Sequence, residues 1–237
     1  MSKELLDEAP SIKVWDMPTR AFHWSVLTLA VLAWITSEAE GALFWTHLAA
    51  GYGVMGLIVF RLVWGVIGTR HARFHQFVRP WRVVRTHIQE LRSFSPAPFL
   101  GHTPPGGWMI IALLAVMSLI VVTGLFSGDD GDAGPLAYLV SPWLADALGE
   151  VHEAGNGLLW TLVVVHVGGV LAVSFLTKDN LIRAMWTGRK NNPERFPDPE
   201  QNTGQAADIP PAGWLRTAIA VLVAAGSVAA LLWMAGP

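Results

Sequence analysis

Residues 150–178 read EVHEAGNGLLWTLVVVHVGGVLAVSFLTK, an apolar run carrying two histidines, His152 and His166, 14 positions apart. At 3.6 residues per turn that offset is almost four whole turns. Both imidazoles therefore leave one helix in the same direction, ~21 Å apart along its axis. Two neutral imidazoles at two depths of an apolar helix look like half of two metal sites. The other half has to come from elsewhere in the chain.

The composition around that stretch is that of a polytopic membrane protein. Of 237 residues, 52% are hydrophobic and only 14% charged, against about 25% charged in a soluble domain. Five apolar segments stand out, at about 20–37, 44–68, 107–127, 150–177 and 212–235. Each is long enough to cross ~30 Å of hydrocarbon as a helix. The chain has no cysteine, which excludes disulfides, thiolate metal sites, thiol-attached haem and Cys-ligated iron–sulfur clusters. Residues 1–19 are charged and polar and lack the apolar core of a cleaved signal, so they are expected to stay in the mature chain. The segment 80–93, PWRVVRTHIQELRS, spaces Trp81, Val84, Ile88 and Leu91 helically among arginines, the pattern of an amphipathic surface helix. Residues 191–211 are rich in Pro, Asn and acids and read as a flexible linker. Tryptophans near the segment ends, such as Trp15, Trp64, Trp108 and Trp214, suit interfacial anchoring.

The basic residues orient the segments. Lys3 and Lys13 precede the first and Arg20 opens it; six arginines, from Arg70 to Arg92, lie between the second and third; Lys178, Arg183, Arg189, Lys190 and Arg195 lie between the fourth and fifth, with Arg216 at the start of the fifth. Arg61, inside the second segment, completes the 16. Segments 38–46 and 128–150 hold none, but carry Glu38, Glu40, Asp129, Asp130, Asp132, Asp146 and Glu150. The positive-inside rule puts the N-terminus in the cytoplasm and the C-terminus outside.

With depth set in this way, two histidines match the two on the fourth segment. His47 opens the second segment at the outer face, level with His152. His23 lies ~20 Å below the outer end of the first segment, close to the depth of His166 at ~24 Å. The expected pairs are His47 with His152 outside and His23 with His166 inside. A pair of imidazoles from facing helices, with no cysteine available, is the ligand set of a bis-histidine haem. A single histidine here would suit a hydrogen-bonded core residue or a proton relay instead, and zinc fits less well because no carboxylate stands near the inner pair. His71, His75, His87 and His102 fall in basic loops and read as solvated or headgroup-facing side chains. Arg61 follows His47 by the same 14 positions, which brings it to the depth of the inner pair. A haem propionate would meet its need for a partner in the membrane, and snorkelling to headgroups would do so too. Gly51 and Gly155, near one turn from the outer ligands, and Gly169, beside His166, would let a flat macrocycle or a neighbouring helix approach.

Taken together, VWDMPTRAFHW at 14–24, FRLVWGVIGTRHARF at 60–74, GHTPPGGWM at 101–109, HEAGNGLLWTLVVVHVGGV at 152–170 and NLIRAMWTGRK at 180–190 resemble the bacterial cytochrome b561 family, which includes b-type cytochrome subunits of nickel–iron hydrogenases. The resemblance covers about 14–190. It implies an all-α integral membrane protein, a four-helix transmembrane bundle enclosing two b-type haems, with His23, His47, His152 and His166 at the positions of the ligating histidines. The segment 212–237 goes beyond the family pattern as an additional, fifth transmembrane helix. The expected domains are a cytoplasmic segment 1–19, the dihaem bundle 20–190, a cytoplasmic linker 191–211 and the helix at 212–237.

Bis-histidine iron has no open position, which favours electron transfer over oxygen chemistry. Two stacked haems would connect a cytoplasmic-side site to an outer one. Quinone is expected at the basic, tryptophan-containing inner rim of Arg20, Arg61, Arg70, Arg73, Arg183 and Trp186. At the outer end a periplasmic redox protein is expected, a c-type cytochrome or a hydrogenase-like subunit, steered by the acidic loop 128–150. An alternative seen in the family, superoxide oxidation coupled to quinone reduction, is disfavoured because that loop would repel the anion. A haem-free transporter or anchor is the alternative of another class.

Overall fold

The computed structural model describes residues 11–37, 40–94, 96, 98–128, 133–191 and 208–235. Its long elements are helices: α1 (Met17–Ile35), α2 (Ala42–Ile67), α5 (Pro104–Phe126), α6 (Pro142–Thr177) and α8 (Trp214–Ala235). Between them lie the short helices α3 (Phe74–Phe77), α4 (Trp81–Arg92) and α7 (Leu181–Thr187). Strands β1 (Ser11–Lys13) and β2 (Arg189–Asn191) form one antiparallel pair, with Ile12 opposite Lys190. Four helices, α2, α5, α6 and α8, are long and apolar enough to cross a membrane. Residues such as Val164 (70% exposed), Phe175 (84%) and Leu222 (70%) are left outward, as a lipid-facing surface requires. α1 is not among the four, since Thr19, Arg20 and His23 occupy its first two turns.

The chain forms two compact units. One gathers the described residues of Met1–Arg20, Gly65–Met109 and Val165–Gly213; the other gathers Ala21–Trp64, Ile110–Val164 and Trp214–Pro237. In the first, Asp16 caps α1: its Oδ1 accepts from the Thr19 amide at 2.6 Å, and its Oδ2 accepts from the Thr69 hydroxyl. Gly188 ends α7 with a left-handed φ of +83°, and its carbonyl accepts from the Val14 and Trp15 amides at 2.8 and 3.1 Å. A side chain there would meet the Trp15 carbonyl at 2.8 Å. Lys190 is buried, and its Nζ reaches Asp179 at 2.8 Å and the Phe99 carbonyl at 2.9 Å. Burial holds its pKa below the usual lysine value, with Asp179 opposing. Asp16 is 2% exposed, so Asp16→Ala removes a cap and strands the Thr69 hydroxyl. A loss of about 1–2 kcal/mol is expected, read as a lowered Tm of the detergent-solubilised protein; an unchanged Tm would contradict this role.

In the second unit, α8 packs onto α2 through small residues. Ala220, Ala224 and Leu231 are buried, and a Cβ on Gly56 of α2 would lie 3.1 Å from Val228. Tyr138 donates to the Met234 carbonyl at 2.9 Å, tying the end of α8 to the 133–141 segment. One face of this additional helix is thus committed to the chain's own α2.

Two expectations need correcting. Residues 142–149, expected in an outer loop, are the first turns of α6; Ser141-Pro142 is a helix start, and the charges of Asp146 and Glu150 ride on the helix. Of the loop's acids, Asp129, Asp130 and Asp132 lie outside the described residues, as does Glu38, and so does 192–207 of the expected linker. Of the four loop histidines only His75 is exposed. His87 is 2% exposed under α4 with its ring edge-on to Phe99, while His102 lies 4.5 Å from Trp15 and 4.6 Å from Phe77 between ring centroids. Aromatic partners contributed from distant parts of the sequence make a dry seat that a local reading takes for solvent. The amphipathic helix expected at 80–93 is α4, with Val84 and His87 as its buried side.

Candidate functional site

α6 is unbroken from Pro142 to Thr177, so the 14-residue offset keeps His152 and His166 on one face. His152, Gly155, Asn156, Leu159, Val163, His166 and Val170 make its sheltered stripe, while Leu158, Val164, Val165 and Val167 are exposed. On α2 the sheltered stripe runs through His47, Ala50, Val54, Ile58, Arg61 and Trp64, and Arg61 is 2% exposed.

His47 and His152 face each other within the second unit. Their ring centroids are 6.1 Å apart and their planes are inclined by 72°. The Nδ1 of His47 lies 2.8 Å from the Ala33 carbonyl of α1, and the Nδ1 of His152 lies 2.8 Å from the Ile120 carbonyl of α5. A carbonyl only accepts, so each Nδ1 bears the proton and each Nε2 keeps its lone pair. Donation of the far ring nitrogen to a backbone carbonyl is how proteins orient a metal-bound histidine. Two imidazoles on opposite sides of one metal ion, each bonded at about 2 Å, have centroids about 6 Å apart. The residues present fit a bis-histidine haem. Among the described residues no three His, Asp or Glu side chains converge as a structural zinc site requires.

The glycines divide by what surrounds them. A Cβ on Gly155 would come within 2.8 Å of Ile120, so this glycine lets α6 approach the residue whose carbonyl holds His152. A Cβ on Gly51 or Gly169 would meet no neighbouring helix or side chain within 4 Å among the described residues. Gly124, absent from the residues singled out by sequence, lies against His152 itself: a Cβ there would sit 2.6 Å from Cε1 and 2.7 Å from Nδ1 of that ring. A glycine mid-way along an otherwise bulky apolar run, VVTGLF, was the available signal.

The other expected site residues are placed as follows. His23 is half-buried on α1, its ring 5.0 Å from that of Trp24. His166 is half-buried on α6 and belongs to the first unit, whereas His23 belongs to the second. Arg20 donates to the Met185 carbonyl at 3.3 Å and to that of Trp186, closing the end of α7. Arg70 begins a 3-10 turn in the same unit, and Arg73 there donates to the Gly68 carbonyl at 2.9 Å. Arg61 belongs to the unit of His47 and His152.

Comparison with known proteins identifies the family. Residues 14–188 match the family described as prokaryotic cytochrome b561. Among curated relatives, a probable Ni/Fe-hydrogenase B-type cytochrome subunit of Rhizobium leguminosarum bv. viciae is 23% identical, over 77% of this chain and 90% of its own length. Its counterpart in Azotobacter vinelandii is 25% identical, over 83% of this chain and 95% of its own length. The family match extends from the Val14–Trp15 turn through α7, and so includes every histidine discussed. With its apolar helices and its imidazole pair, the chain belongs to the prokaryotic cytochrome b561 family: it is a haem-binding membrane b-type cytochrome that carries electrons.

Proposed function

We propose that this cytochrome holds two b-type haems and passes electrons between membrane quinone and a periplasmic redox partner. His47 and His152 ligate the outer haem, and His23 and His166 the inner one. The observation that carries the proposal is the outer imidazole pair, 6.1 Å apart with both Nδ1 atoms donated to backbone carbonyls. A haem held by His47 and His152 would supply one-electron exchange, with no iron position left for oxygen. The chain's part is to fix each imidazole tautomer, to shelter the ligands on the inward stripes of α2 and α6, and to place the Arg61 guanidinium near a propionate. The inner pairing rests on matched sequence depth.

In this reading residues 20–190 form the haem-binding bundle, with α1 as a further crossing. Residues 1–19 and 191–211 lie in the cytoplasm, and 212–237 adds a membrane helix that ends in the periplasm. The arginine distribution supports this orientation in a bacterial inner membrane. By the arginine distribution in the sequence, quinone meets the basic inner rim of Arg20, Arg61, Arg70, Arg73, Arg183 and Trp186. Because the curated relatives are named as Ni/Fe-hydrogenase cytochrome subunits, a hydrogenase-like subunit is the preferred partner. A haem assay with a reduced-minus-oxidised spectrum should return b-type haem at two per chain; one haem or none would sink the pairing. Affinity purification from native membranes should bring a periplasmic redox subunit with the cytochrome, and recovery of the cytochrome alone would count against that partner.

A further inference from the structure

Helix α4 has two working sides. Val84 and His87, each 2% exposed, dock it onto the first unit, and the helix's one carboxylate, Glu90, is turned to His87 with Oε2 3.2 Å from Nδ1. On the other side Trp81, Arg85, Ile88, Gln89 and Arg92 line a groove of about 300 Å³. These residues recur at helical spacing, so the groove follows one stripe of the helix. Trp81 is 63% exposed there. Among the described residues the guanidinium groups of Arg82, Arg85 and Arg92 make no hydrogen bond or ion pair.

The position of α4 is set by a membrane helix. Trp108, in the first turns of α5, donates from Nε1 to the Arg79 carbonyl at 2.9 Å, two residues before α4 begins. α5 is one of the helices apolar enough to cross the bilayer, so its first turns, and the start of α4 with them, belong at the headgroup level. Arg85 and Arg92 are two turns apart, roughly 10 Å along the axis, and both can reach a point above Ile88 and Gln89.

We propose that this groove binds the phosphodiester of an anionic phospholipid. Arg85 and Arg92 bind the phosphate oxygens from either side, Gln89 adds an amide donor, and Trp81 with Ile88 covers the glycerol and the first acyl carbons. The site depends on the placement of α4 at the membrane surface and not on the number of haems, so a haem count of one would leave it standing.

Native mass spectrometry of the full-length, haem-loaded protein in detergent tests this, with phosphatidylglycerol or phosphatidylcholine added in parallel. The wild type should retain phosphatidylglycerol in preference to phosphatidylcholine. In Arg85→Gln/Arg92→Gln that retention should fall by about tenfold or more, with the haem spectrum unchanged. Arg85→Lys/Arg92→Lys, which keeps the charges as points and loses the fork geometry, should fall in between. Equal retention of the two lipids, undiminished retention by the Gln variant, or full displacement of phosphatidylglycerol by millimolar inorganic phosphate would overturn the proposal; the last would mark a free-phosphate site. If the Gln variant lost haem, Trp81→Ala would serve in its place and should lower retention alone.

Discussion

Replacing His47 by alanine is expected to leave one haem per chain in place of two, with the remaining spectral component unchanged in position. His152→Ala should give the same spectrum. The two rings are 6.1 Å apart across one site, and each has only its Nε2 to offer a metal, because Nδ1 is donated to the carbonyl of Ala33 or Ile120. Removing either ring halves the axial donor set, and no third His, Asp or Glu converges there among the described residues to replace it. Loss of outer-site occupancy should therefore exceed the 10- to 100-fold or so that outer-shell partners are worth. His23→Ala and His166→Ala should remove the other component. Pyridine haemochrome assays and redox-difference spectra of the four purified variants check this. If His47→Ala and His23→Ala lost the same component, the pairing by depth would be wrong.

The facing of His47 and His152 was legible because it depends on quantities that a sequence carries directly. Apolar length marks the crossings, arginine placement marks their direction, and helical rise then turns residue numbers into depths. His152 and His166 share a face of α6 for no reason beyond 3.6 residues per turn. Contacts between segments remote in the chain were not legible. Nothing in the local sequence of His47 marks Ala33 as its carbonyl partner, and nothing beside His87 announces Phe99. Charge misled at the start of α6, where Asp146 and Glu150 suggested a loop although Ser141-Pro142 opens a helix. Arg20 shows the same limit. Its sequence position at the membrane edge suggested an anion, yet its described hydrogen bonds end on the carbonyls of Met185 and Trp186.

Gly124→Ala is the more informative substitution, because it changes no ligand. The added Cβ would lie 2.6 Å from Cε1 and 2.7 Å from Nδ1 of His152, closer than carbon atoms tolerate, and the obstacle is a rigid ring. The ring's escape is limited, since its Nδ1 is tied to Ile120 on the same helix as Gly124, four residues earlier. The ring must swing off that carbonyl, and with it go both the tautomer preference and the aim of Nε2. Losing an orienting partner of a metal-bound histidine typically weakens the metal by about 10- to 100-fold, and that loss is expected here for the outer haem alone. Gly155→Ala acts on the same bond from the other side, since its Cβ would press on Ile120 at 2.8 Å; there a flexible side chain can yield and the effect should be smaller. Haem titration of the purified variants, followed by the Soret band of each component, separates the cases. A Gly124→Ala protein that holds its outer haem as tightly as the wild type would show that His152 does not depend on the Ile120 carbonyl for its aim.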